Sequence, residues 1–108
     1  MKKLFGFAFF LLASFSASAV SESNKTILSM GAQTYEDGGI VAYVNVSPPP
    51  AVNCTFGMLY IPNLSSAGGT VLYSMLQKAY SLGKPLARVD YSQDSNGLCL
   101  ISLIELGR

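Results

Sequence analysis

The run TVLYSMLQKAYSLGKPLARVDYSQDSNGLC, residues 70–99, contains a helix, its stop signal, a strand, a turn and one of the chain's two cysteines. Val71, Leu72, Met75, Leu76, Ala79 and Leu82 recur at helical spacing, and Ser74, Gln77, Lys78 and Ser81 lie off that stripe. Thr70 is placed to cap the helix at its start. Gly83 can adopt the left-handed conformation that ends it, with Pro85 two residues on. Leu86–Tyr91 then reads as a strand, Gln93–Gly97 as a polar turn, and Leu98–Leu106 as a closing strand.

Upstream of the helix the pattern has period two. Ile40, Ala42, Val44 and Val46 share one face of a strand, with Val41, Tyr43 and Asn45 on the other. Ser47-Pro48-Pro49-Pro50 ends it, since proline has no N–H to give to a ladder. Before it, Tyr35-Glu36-Asp37-Gly38-Gly39 is a turn that joins it to a first strand, Thr26–Thr34. Val20–Asn24 is polar and reads as a loose arm. After the prolines, Thr55–Ile61 is a third strand, and Pro62–Gly69 a loop leading to the helix.

The order strand, strand, strand, helix, strand, strand places the helix between the third and fourth strands. A mainly β, five-stranded OB-fold-like barrel uses that order. An open α+β sheet with the helix on its face is the alternative. In the barrel the third and fifth strands run parallel, so Cys54, before the third, can meet Cys99, near the start of the fifth.

The two cysteines, with no histidine in the chain to complete a metal site, read as one disulfide closing a long segment. Free thiols are the alternative, and no Cys-x-x-Cys spacing suggests redox chemistry. An oxidising compartment agrees with the N-terminus. Met1, Lys2 and Lys3 precede the apolar run Leu4–Leu12, and Ala17-Ser18-Ala19 supplies small residues for cleavage after Ala19. The apolar run is shorter than the roughly 20 residues that span a bilayer, so no membrane span is expected after cleavage. The expected organisation is a signal peptide, 1–19, and one domain, 20–108, secreted or periplasmic.

The segment after Ala19 has five basic and six acidic side chains. A near-neutral chain without a basic run has no electrostatic footprint for nucleic acid. Without histidine, a Ser-His-Asp or Cys-His arrangement is impossible, and Glu36, Asp37, Asp90 and Asp94 read as turn charges rather than catalytic pairs. No glycine-rich phosphate loop is present, no cofactor is implied, and the chain reads as a non-enzyme.

The helix, the Ala79-Tyr80 pair, the Gly83-Lys84-Pro85 turn and the strand through Val89 resemble those of small exported bacterial proteins related to the binding subunits of subtilase-type and typhoid-type pentameric toxins. The resemblance covers about residues 54–108. It implies a disulfide-containing OB-fold, assembly in fives and binding of cell-surface glycans, but carries over no glycan-contacting residue. This chain is shorter and has fewer cysteines than those subunits.

Six tyrosines in a chain with no tryptophan suit a binding surface. Tyr73, Gln77 and Tyr80 share a helix side beside the apolar stripe and are expected subunit contacts in a homo-oligomer. The outer strand faces, with Val41 and Tyr43 on the second strand and Leu100, Ser102 and Ile104 on the fifth, are greasy enough to suggest the same. Tyr35, Glu36 and Asp37 in the first turn, and Asp94 and Asn96 in the last, are the expected ligand contacts. The functional expectation is a glycan-binding component of a homo-oligomer. The alternative is a monomeric periplasmic module that binds or inhibits a protein through a strand edge.

Overall fold

The computed structural model describes residues 19–107, so the expected signal segment, apart from Ala19, lies outside the described residues. Five strands and one α-helix follow in the order β1 (Val20–Thr34), β2 (Ile40–Ser47), β3 (Leu59–Ile61), α1 (Ala67–Leu82), β4 (Leu86–Gln93) and β5 (Cys99–Leu106). The strands form one closed sheet in the spatial order β1-β2-β3-β5-β4, with β4 returning to β1. The open sheet is therefore not adopted. Every pairing is antiparallel except that of β3 with β5, where Leu59 faces Cys99 and Tyr60 faces Leu100. Among the described residues no helix is long and apolar enough to cross a membrane.

The alternation in β2 decides what lies inside. Ala42, Val44 and Val46 are buried with Leu59 and Ile61 of β3, Leu86, Val89 and Tyr91 of β4, and Ile101 of β5. Leu76 and Ala79 bring α1 onto this core. Val71 and Leu82, both on the expected stripe, are 58% exposed, and Tyr73 packs partly against the core instead. The buried side of the helix is thus rotated toward Tyr73. Cys54 and Cys99 form the disulfide, with α-carbons 5.5 Å apart.

Four expectations are corrected. Val20–Asn24 is no loose arm: Val20–Ser23 and Lys25 pair with β4, from Val20 opposite Tyr91 to Lys25 opposite Leu86. Its polar composition misleads because Glu22, and Lys25 just after the stretch, have partners in the fold, as described below. The third strand is shorter than Thr55–Ile61, because Phe56 and Gly57 have φ of 59° and 67° and turn the chain through a 3-10 segment, Thr55–Gly57. Thr70 is not the N-cap. Ser66 is, its Oγ accepting the Gly69 N–H at 2.9 Å, and Gly69 passes so close to the Asn63 carbonyl that a β-carbon would not fit. Finally, strict alternation fails in β5, where a register shift opposite Asp90 and Tyr91 changes the phase after Ile101. Ile104 therefore points into the core, away from the face expected for it.

The remaining boundaries agree with the reading from sequence to within two residues. Gly83 ends α1 at φ 67°, and its N–H meets the Ala79 and Tyr80 carbonyls.

Candidate functional site

On the outer face of the sheet, Tyr43 of β2 sits opposite Tyr60 of β3. Tyr60 is buried, and Tyr35, from the turn after β1, and Tyr43 lie near enough to oppose ionisation of the Tyr60 phenol. Burial first, then these two neighbours, pushes the Tyr60 pKa up. Tyr35 is 51% exposed and Tyr43 partly so. Tyr60 is therefore the floor of an aromatic cluster whose rim reaches water.

Local sequence explains why the rings gather. Outward positions of adjacent strands recur with period two, so Val41, Tyr43 and Asn45 stand in one row beside Tyr60. Gly31 of β1, opposite Tyr43, leaves space for the tyrosine: a β-carbon there would lie 2.5 Å from the Tyr43 hydroxyl oxygen. Beyond it, the Asn45 amide donates to Ser29 Oγ at 3.1 Å, so hydrogen-bonding groups border the rings. The turn itself is held by the Tyr35 N–H donating to the Gly39 carbonyl, and by the Gly39 N–H donating to Asp37 Oδ1 at 2.8 Å. Glu36 is exposed on the same turn.

The two expected ligand turns do not come together. β2 starts beside the end of β3, which places Tyr35, Glu36 and Asp37 at that end of the sheet. The Asp94–Gly97 turn lies at the start of β5, where the Thr55 N–H donates to the Gly97 carbonyl and Thr55 Oγ1 to the Asn96 carbonyl. Asp94 Oδ1 there accepts the N–H groups of Asn96 and Leu98, so this oxygen shapes the turn. Asp90 is not the turn charge expected: it lies buried within β4, where it pairs with Arg88 at 2.8 Å, and that guanidinium holds its carboxyl below the usual range.

Tyr73, Gln77 and Tyr80 do come together. With Met30 of β1 and Ser81 they line a shallow groove of about 460 Å³ where α1 meets β1. Among the described residues no group of three or more carboxylate, thiolate or imidazole side chains is arranged to hold a metal.

Gly31, Ser29, Asn45 and Tyr60 were not identified as site residues from sequence. The alternating pattern puts Tyr43 and Asn45 on one face, but their neighbours on β1 and β3 depend on register, which the pattern of one strand does not contain. Comparison of the chain with protein-family models, with curated proteins and with solved structures gives no match.

Proposed function

We propose that this chain is an exported, non-enzymatic binding protein that recognises cell-surface glycans and works as a homo-oligomer, its closed sheet being an OB-fold barrel akin to the binding subunits of pentameric toxins. The observation that carries the reading is the gathering of Tyr35, Tyr43 and Tyr60 on one outer face, bordered by Asn45 and Ser29. Aromatic rings give a sugar its apolar contact, and amide and hydroxyl groups meet its hydroxyls. The parallel β3–β5 pair and the helix between β3 and β4 support the barrel assignment. The disulfide accords with export.

Non-catalytic action is favoured by how the carboxylates are used. Asp90 is paired with Arg88, and Asp37 and Asp94 hold turns. A glycan array probed with the oxidised protein tests the reading. Binding to a defined set of glycans that is lost in Tyr35→Ser supports it, and no binding, even when the protein is displayed multivalently, counts against it.

A second reading, a periplasmic protein-binding module, draws on β1. Beyond Lys25 this strand pairs with β2 alone, leaving an edge suited to strand addition.

A further inference from the structure

Phe56 is 80% exposed, the most exposed of the large apolar side chains among the described residues, and holds a φ of 59°. Each fact is unfavourable alone. A β-carbon strains the left-handed region, where asparagine or glycine sits more easily, and a phenyl ring in water forgoes burial. The backbone that carries this ring is nevertheless anchored: Cys54, two residues before it, is in the disulfide, and Thr55 is bonded to Gly97 and Asn96. An exposed aromatic side chain carried on an anchored backbone is suited to anchor an interface.

The same molecule carries a hole that matches. The groove between α1 and β1 has room for a phenyl ring and is lined by Met30, Tyr73 and Tyr80, with Gln77 and Ser81 completing it and no charged side chain. A thioether and two aromatic rings are favourable partners for phenylalanine. Knob and groove cannot meet within one chain. The turn bearing Phe56 precedes β3 and is bonded to Asn96 and Gly97 in the turn that leads into β5, whereas α1 leaves the end of β3 and leads to the start of β4, opposite the end of β5. They mark opposite ends of the closed sheet.

We infer that Phe56 of one copy seats in the Met30–Tyr73–Tyr80 groove of the next, so that the chain self-associates head to tail. Such a contact is heterologous: every copy offers one knob and one groove, and the array grows until it closes on itself. One ring in one groove buries less than the roughly 1,200 Å² of a stable interface, so each contact is weak and the assembly depends on concentration. This inference supplies the contacts for the homo-oligomer proposed above and rests on that part of the reading.

Sedimentation velocity tests it on the protein expressed as the full chain in an exporting host and purified oxidised. The wild type is expected to associate with rising concentration. Phe56→Asn and Tyr80→Asp, each alone, are expected to sediment as monomers. The asparagine variant relieves the backbone, so its melting temperature should be at least that of wild type, which separates lost contact from lost folding. An equimolar mixture of the two variants retains one knob and one open groove and should stop at a one-to-one heterodimer. A wild type monomeric at all concentrations, a Phe56→Asn protein that assembles like wild type, or a mixture that stays monomeric would each overturn the inference. The glycan array separates the two proposals. Glycan binding by a monomeric wild type removes the homo-oligomer together with its head-to-tail contact and leaves glycan recognition standing, whereas assembly through Phe56 without any glycan binding removes glycan recognition alone.

Discussion

The Lys25 ammonium lies 2.6 Å from Glu22 Oε1, and both side chains are nearly buried. Lys25 also donates to the carbonyls of Pro48 and Pro49, at 2.9 and 3.2 Å, so three acceptors surround its three protons. The second oxygen of Glu22 accepts the Ala51 N–H at 2.9 Å and the Tyr91 hydroxyl. Two residues of β1 thereby fasten the proline segment to the sheet and to β4, just before the chain reaches Cys54. Prolines without N–H groups cannot secure this segment through a ladder, and Lys25 uses their carbonyls instead.

Glu22→Gln leaves the Lys25 charge buried without its counter-ion. Removing one partner of a buried pair is expected to cost about 3 kcal/mol. Urea unfolding of the oxidised protein measures it. A loss below about 1 kcal/mol would place the pair with ordinary surface ion pairs, whose contribution is that small.

The same cluster sets the pH range of stability. Burial raises the Glu22 pKa, but the bonds from Lys25, Tyr91 and Ala51 outweigh it, and the net shift is downward from 4.5. Its contribution is present above 4.5 and is lost as pH falls through the lower folded value. Tyr91 shifts the other way: burial and the bond to Glu22 push it from 10.0 up to about 12. That contribution is complete below pH 10 and lost as pH rises through 12. Melting temperature against pH should fall at both extremes, and Tyr91→Phe should flatten the alkaline fall.

The Cys54–Cys99 bridge spans a sequence separation of 45 and should stabilise by about 4 kcal/mol on the chain-entropy account. Cys54→Ser with Cys99→Ser is compared with the oxidised wild type by denaturant unfolding. Equal midpoints would show that the parallel β3–β5 contact holds without it.

Gly31→Ala places a β-carbon 2.5 Å from the Tyr43 hydroxyl oxygen and must move that ring. Because Tyr43 is only partly buried on the outer face, stability should change by less than about 1 kcal/mol. Glycan affinity should fall about tenfold, equivalent to ~1.4 kcal/mol. Unchanged affinity would remove Tyr43 from the site.

Elements with a strong period or a stop residue were legible in the sequence. The inward row of β2, the αL glycine after α1 and the meeting of the cysteines all followed from local pattern plus strand order. What escaped depends on contacts between distant residues. Glu22 and Lys25 look solvated in a polar stretch, and only the proline carbonyls and Tyr91, far along the chain, make them interior groups. Phe56 reads as a strand residue by type, since aromatic side chains favour strands, and its positive φ contradicts that preference. For the site, Tyr35 was evident as a turn aromatic, but its grouping with Tyr43 and Tyr60 required the register of β2 on β3.

Glycan recognition through the outer tyrosine face is tested most directly by NMR titration of protein carrying isotope-labelled tyrosine rings with a panel of monosaccharides and small oligosaccharides. The account predicts saturable shifts of the Tyr35 and Tyr43 ring signals with at least one sugar, accompanied by Tyr60, while Tyr91 in the interior stays fixed. Ring signals of Tyr35 and Tyr43 that do not move with any sugar, or shifts confined to Tyr73 and Tyr80, would contradict it.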